Sequence, residues 1–420
     1  MESVEFQTLF AAPLRNGVYK SKEFQGRGVR LVKMKQLFGE RRLCSTSDGY
    51  ELIELSDKER QKLLLAKNDL LFSRTSVVAD GVGKCSLVVE TNEQLTWDSN
   101  IIRVRIDASR GCPEFYFYFF NSPVGRDTVK RLSSGAAVTT ITGTGLAACS
   151  VPHPPLPLQH RIAGVLSAYD ELIENNLRRI QILEEMAQAL YREWFVEFRF
   201  PGSEVLEFVE SETGRIPSGW ESGYFTDVAE ILSGGTPKTS RTEYWNGVIP
   251  FFSPKDAPAS FFVTKTERQL TEVGLENCSS SLYEPETVFI TARGTVGKVV
   301  LPAVPMAMNQ SCYALRGREG VGQLYLFLAV RDAVEYLRRN TGGATFPTII
   351  VDTFRRMPVL RPSNPLISQF EEVVRPTFSL LRVLLEKNEV LRVTRDLLLP
   401  RLISGELDVS ELDMDVGDAA

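Results

Sequence analysis

Two glycines and a lysine raise the first question of chemistry. In "ARGTVGKVV" (Ala292–Val300), Gly294 and Gly297 stand three apart and Lys298 follows the second. "ADGVGKCSL" (Ala79–Leu87) repeats the idea with Gly81, Gly83 and Lys84. Such a pattern could fold as a backbone nest for a phosphate, capped by an ammonium. The nucleotide signature G-x-x-x-x-G-K-[ST] needs more than this: a hydroxyl for Mg²⁺ and a helix opening at the loop. Here Val299, Val300 and Leu301 follow Lys298, and Cys85 follows Lys84, which reads as strand. A hairpin between two strands, with glycines supplying positive φ, fits better. Its lysine is then either a plain turn residue or a basic tip against a nucleic-acid phosphate.

Other reactive constellations are missing. The only histidines, His153 and His160, lie in or just after the proline-rich crossover and suggest neither a metal cluster nor a Ser-His-Asp arrangement. The chain shows no glycine-rich dinucleotide fingerprint, no [ND]-P-P-[FY] stretch of amino-methyltransferases and no D…E-x-K nuclease pattern. No metal site and no catalysis are expected. Cys44, Cys85, Cys112, Cys149, Cys278 and Cys312 are scattered without a C-x-x-C pair, as in reduced cytosolic proteins. No basic-then-apolar leader is seen, and the longest apolar runs fall short of a bilayer span, so a cytoplasmic protein with no membrane partner is expected.

Charge points the same way only when read locally. The net charge is -5, but residues 1–152 hold 21 Lys and Arg against 17 Asp and Glu. The acidity gathers at 204–216 and in the tail 406–418, which carries six acids and no base. Basic surfaces elsewhere stay open to anionic partners.

Beyond these motifs, the chain repeats itself. "SSGAAVTTI" (133–141) echoes "TGGATFPTI" (341–349) at an offset of 208, "GVRLV" (28–32) echoes "GVIPF" (247–251) at 219, and Asn100 aligns with Asn309 at 209. The repeat is domain-sized, so this is a duplication and not a solenoid. Each copy runs from short Val, Ile and Phe runs broken by Gly, Pro and Asn, through a helical segment, into a long amphipathic helix.

The long helices are the elements that must position everything else. From His160 to Phe195 apolar residues recur at alternating threes and fours, including Tyr169, Ile173, Leu177, Ile180, Leu183 and Leu190. The second copy offers Leu381, Leu385, Leu391 and Leu398, with Asn388 where the first has Ile180. This spacing predicts a coiled-coil seam, and one polar residue in it can fix register. Pro376 is expected to kink the second helix or start its regular part. The simplest partner for each helix, about 50 Å long, is the other copy; a second chain is the rival.

What remains is binding. "RNGVYKSKEFQGRGVRLVKMK" (15–35) and "SGGTPKTSRTEYWNGVIPFFSPKD" (233–256) set Lys, Arg, Thr, Ser, Asn and Tyr around Gly and Pro ahead of a strand. Loops of this composition suit phosphates and base edges, although either alone reads equally as a solvated loop.

At these residues a family resemblance enters. "GWESGYFTDVAEILSGGTPKTSRTEYWNGVIPFFSPKD", "TARGTVGKVVLP", "MNQSCYALRG" and "PPLPLQHRIAGVLSAYDELIENNLRRIQILEEMAQALYREWF" together resemble the specificity (DNA-recognition) subunit of type I restriction-modification enzymes, over essentially the whole chain. The resemblance implies an α+β chain: two mixed α/β target recognition domains separated by two long helices that pair as an antiparallel coiled coil, with pseudo-twofold symmetry. It places recognition domain 1 at 1–152, a central helix at 153–203, an acidic linker at 204–216, recognition domain 2 at 217–360, a distal helix at 361–405 and an acidic tail at 406–420. It implies double-stranded DNA read as a bipartite asymmetric target, with helix length acting as a ruler for the unread gap. The implied partners are methyltransferase subunits, two in number and carrying the S-adenosylmethionine, with a restriction (translocase) subunit as an optional third. Candidate DNA contacts are Lys20, Lys22, Arg27, Lys33, Arg74 and Lys84 in the first domain. In the second they are Lys238, Thr239, Arg241, Lys255, Arg293 and Lys298. Residues 1–35 lack the G-W and G-G-T-P features, and only Asn16-Gly17 and Lys20 stand near the places of Gly234-Gly235 and Lys238. The competing readings are a coiled-coil scaffold without DNA readout and a divergent DNA methyltransferase.

Overall fold

Strands alternate with tight turns through both halves because Gly, Pro and Asn interrupt the Val/Ile/Phe runs. The computed structural model describes residues 2–411 except 48, 78, 136–137, 206, 212–213 and 341–347. Most of the "TGGATFPTI" echo and of the acidic tail therefore lies outside the described residues. The chain divides into two units: residues up to Ile173 with those from Leu391 onward, and Glu174–Val390.

The first unit is built on a five-stranded sheet in the order Phe10–Asn16, Ile101–Ile106, Leu70–Ser73, Cys85–Glu90, Arg42–Cys44. All neighbours are antiparallel except the last pair. A three-stranded sheet accompanies it, with Gln25–Val32 antiparallel to Glu51–Ile53 and parallel to Leu95–Trp97. The second unit repeats this strand for strand. Its five strands run Ala229–Ser233, Cys312–Gly317, Val288–Thr291, Val299–Pro302, Phe262–Val263, again with only the last pair parallel. Trp245–Phe252 pairs antiparallel with Arg268–Leu270 and parallel with Ala307–Met308.

Each large sheet is covered by an apolar helix. "FYFYFF" lies in Pro113–Asn121, buried on every side, with Phe6 and Phe72 each 4.9 Å from Phe120. The helical segment predicted here breaks where the second unit's does not. Pro123 offers no N–H, so a new helix, Pro123–Arg131, starts with Ser122 accepting from the Gly125 N–H at 3.2 Å. The second unit keeps one helix, Gln323–Asn340.

The two long helices are Leu156–Phe195 and Asn364–Ser404. Asn364–Ser404 continues unbroken through Pro376, so the proline does not start it. Glu372, the residue whose carbonyl loses its bond to Pro376, is exposed, and water can satisfy it. Within each unit the helix segments are antiparallel. In the first, Asp170 faces Arg395 and Leu166 shares a core with Leu399 and Leu402. In the second, Trp194 meets Phe370 at 5.5 Å and the Asn176 amide donates to Asn388 Oδ1 at 2.9 Å.

The seam differs in detail from the apolar spacing. Ile173, Ile180 and Leu381 are buried, and Leu183, Leu190, Leu385, Leu391 and Leu398 half-buried. Tyr169 and Leu177 give way to Asp170 and Asn176, which are buried one residue away, while Leu177 is exposed. A helix near 3.6 residues per turn drifts off a 3.5-residue repeat, and here polar side chains with partners occupy the drifted positions. The acidic segment 204–216 includes strand Phe208–Ser211, which forms a hairpin with Gly214–Pro217.

Candidate nucleic-acid interface

The glycine motifs are strand hairpins, and the two copies match at the level of single hydrogen bonds. In the second unit Thr291 N–H donates to the Lys298 carbonyl, Gly297 N–H to the Thr291 carbonyl, and Lys298 N–H to Thr291 Oγ1, at 2.8–2.9 Å. In the first, Ser73, Gly83 and Lys84 repeat all three bonds at 2.8–3.0 Å. Gly294 and Gly297 take φ of +80° and +78°, and Gly83 +64°, the left-handed conformation only glycine enters cheaply. A strand follows each lysine, Cys85–Glu90 in the first unit and Val299–Pro302 in the second. Neither lysine opens a helix, which the nucleotide signature requires.

The lysines themselves fold inward. Lys298 Nζ donates to the Ala257 carbonyl at 2.9 Å, and Lys84 Nζ lies 4.9 Å from the Phe38 ring centre. Each is half-buried. Their stems pack on the loop while part of the ammonium's donor capacity is already used.

Four loops of the second unit converge through backbone bonds. Gly235 N–H donates to the Met308 carbonyl at 3.0 Å, Asn309 N–H to Phe252 at 2.9 Å, and Arg293 N–H to Ser311 at 3.3 Å. Thr295 Oγ1 donates to Pro254 at 3.2 Å. This brings Thr236, Lys255, Arg293, Thr295 and Gln310 onto one polar rim. Its glycines have a steric reason: a Cβ on Gly234 would sit 2.1 Å from the Asn309 carbonyl oxygen, and one on Gly235 2.2 Å from Ser279 Oγ. Lys238 and Thr239 are exposed on the same loop, whose Lys238 carbonyl accepts from Trp245 Nε1 at 3.4 Å. Arg241 pairs with Glu243 at 3.2 Å. Arg268, which the sequence reading passed over, stacks on Trp245.

The first unit builds the same rim with different charges. Gly17 takes the place of Gly234, since a Cβ there would lie 1.8 Å from the Trp97 carbonyl oxygen. Val18 N–H donates to Trp97 at 2.8 Å and Asp98 N–H to Val32 at 3.0 Å, so Asp98, and not Asn100, corresponds to Asn309. The sequence echo was two residues out of register because it matched identical letters. Lys20, Arg27 and Lys33 are engaged by Glu59 at 2.8 Å, Glu54 at 3.0 Å and Glu51 respectively. Hydrogen bonds from Lys20 and then Ser56 pull the Glu59 carboxyl down to about 2. Lys22 is exposed, and Arg74 is half-buried with its backbone bonded to Asn100 and Ile141. Lys33 N–H donates to Gln36 Oε1 at 3.2 Å at the start of Met34–Gly39, as Ser253 N–H donates to Asp256 Oδ2 at 2.8 Å at the start of Pro254–Asp256, so Lys35 stands where Lys255 does. Lys35 is exposed and was missed; the signal was its place three residues after the strand.

Among the described residues no group of three or more His, Cys, Asp or Glu side chains is placed to hold a metal ion, and no helix is long and apolar enough to cross a membrane.

Comparison with known proteins agrees with this duplicated geometry. The model of the type I restriction modification DNA specificity domain matches the chain twice, over 31–185 and 217–365. The MjaIX specificity subunit of Methanocaldococcus jannaschii is 24% identical over 400 residues, covering 94% of this chain and 90% of the relative. The HindI specificity subunit of Haemophilus influenzae is 24% identical over 406 residues, covering 82% and 88%. In fold, the chain is similar to the crystal structure of the type I restriction-modification S subunit from M. genitalium. The TM-score is 0.57 at 15% identity, over 96% of this chain and 95% of that one. With two matched copies spanning most of its length, the chain belongs to the family of type I restriction modification DNA specificity domains, a recognition family and not a catalytic one.

Proposed function

We propose that each unit reads one half of a bipartite, asymmetric sequence in double-stranded DNA, and that the long helices dock methyltransferase subunits. The observation that carries the reading is the repeated rim: four loops tied by matching backbone bonds, exposing basic and amide side chains in each unit. Within it Lys238, Lys255, Arg293, Lys22 and Lys35 are exposed and suited to phosphates, with Thr, Asn and Gln side chains for base edges. Thr239 and Arg241 join the second rim; Lys20, Arg27 and Lys33 join the first, each held in an ion pair with an acid. Arg74, Lys84 and Lys298 support the hairpins from beneath. The recognition domains are assigned to 1–152 and 217–360, with the helical regions 153–203 and 361–405 between and after them.

Apolar side chains on the outer faces of the helices support docking. In the second unit Leu177, Ile182 and Met186 are exposed on one helix and Val383 and Val390 on the other. In the first unit Leu172, Val393 and Leu397 are. Exposed apolar faces opposite a filled seam mark partner surfaces. One face per unit fits two methyltransferase subunits, which would bring the S-adenosylmethionine, and a restriction subunit can join them.

The test is to map modified adenines in cells with and without this chain, its partner subunits present in both. A two-part motif that disappears with the chain is expected. A motif indifferent to the chain, or no motif at all, overturns the reading.

A further inference from the structure

The turn that follows the short parallel strand presents a carboxamide in each unit, and its surroundings fix how that amide points. In the second unit the turn is Asn309–Ser311. Asn309 Oδ1 accepts from the Ser311 N–H at 3.0 Å, and its carbonyl accepts from Cys312 at 3.2 Å. Met308 and Cys312 are buried on either side, so the turn is anchored at both ends while Gln310 is exposed. The Thr236 hydroxyl, carried by the glycine loop, donates to Gln310 Oε1.

The first unit reaches the same arrangement by another route. Asp98 Oδ1 accepts from the Asn100 N–H at 2.8 Å, and Ile101 N–H donates to the Asp98 carbonyl at 2.9 Å. By that register Ser99 stands at the place of Gln310, and Tyr19, which is 87% exposed, at the place of Thr236. The carboxamide has moved one residue along, to exposed Asn100, and its support comes from the hairpin: Thr75 Oγ1 donates to Asn100 Oδ1 at 3.4 Å.

In both units, then, a threonine hydroxyl donates to the amide oxygen. This holds the amide in one of its two flips, leaving the nitrogen to donate outward and the oxygen a second lone pair to accept. That polarity is the one that meets adenine in the major groove, with the amide N–H on N7 and the amide oxygen on the N6 amino group. Holding the amide in advance removes the rotamer cost of finding the base.

We propose that Gln310, braced by Thr236, and Asn100, braced by Thr75, each read one adenine, one in each half-site. The inference rests on the reading of the chain as a two-part DNA reader and names the residues that discriminate within it. The difference in length and position of the two amides lets two units of one topology read different sequences.

The experiment uses the full chain assembled with its partner subunits and maps the modified motif by sequencing. Gln310→Ala is expected to relax one A·T position in one half-site only, lowering discrimination there by roughly ten- to a hundredfold. Asn100→Ala should do so in the other half-site. Gln310→Glu, which can accept from cytosine N4 but cannot donate to N7, should move the same position toward cytosine. If both alanine variants keep the wild-type motif at every position, the assignment is wrong while two-part reading stands. If Gln310→Ala abolishes modification altogether, Thr236→Val decides: a relaxed A·T position supports the assignment and an unchanged motif overturns it. A wild-type complex that modifies no defined sequence removes the underlying reading itself.

Discussion

The two units share the neighbours of their five- and three-stranded sheets, yet they hold their charges in different ways. The first neutralises its glycine-loop bases internally, with Lys20, Arg27 and Lys33 against Glu59, Glu54 and Glu51. The second leaves Lys238, Lys255 and Arg293 exposed on its rim. The helix seams differ too. Arg395 meets Asp170 in the first unit, where Tyr118 also donates to Asp170 at 2.7 Å. The second uses the uncharged Asn176–Asn388 pair at 2.9 Å. A duplicated fold thus keeps its backbone bonds and lets charge diverge, because strand pairing depends on pattern while an ion pair needs only two side chains within reach.

The largest effect expected from this contrast is in the seams. Arg395→Ala leaves the Asp170 carboxylate buried without its ion-pair partner and should destabilise the first unit by about 3–5 kcal/mol. Asn388→Leu leaves only an amide short of a partner and should cost about 1–3 kcal/mol. Chemical denaturation of the two variants measures both; equal losses would mean that charge is not what separates the seams.

A second, pH-dependent effect centres on Glu184 in the second unit. Glu184 accepts from the Phe261 N–H at 2.7 Å, yet burial raises its carboxyl from 4.5 to about 7. The native state therefore keeps a proton that the unfolded chain has lost between those values, and stability falls as pH rises through that window. Discounted for partial exposure, the fall should be about 1–2 kcal/mol. Glu184→Gln should flatten it, as thermal unfolding across pH 4–8 would show, and a slope that survives the substitution assigns the titration elsewhere.

The smallest effect concerns DNA itself. Lys255→Ala, removing an exposed base, should weaken binding of all sequences a few-fold and reduce the salt slope by about one. Lys20→Ala removes a base already bonded to Glu59 and should leave the slope unchanged. Equal slopes for the two variants would show that the Lys20–Glu59 pair opens on DNA.

Sequence spacing was enough for whatever is local. The hairpins follow from Gly294, Gly297 and Gly83, the long helices from their three-and-four apolar spacing, and the duplication from repeated order. Asn388 was legible as a polar seam residue, but its partner Asn176 was not, because the apolar repeat pointed to Leu177. The contacts of the rim were harder still. Nothing along the chain says that Glu59 will neutralise Lys20 thirty-nine residues away, or that Lys298 will turn back to the Ala257 carbonyl. Lys35, Gln310 and Thr236 lie within the polar stretches and motifs, but only the register of paired strands brings them to matching places. The sequence by itself determined the elements and their repetition, since hydrophobic period and glycine conformations are set by neighbours along the chain. Tertiary structure decided which charges remain free and which amides are held, since those depend on atoms that meet only after folding.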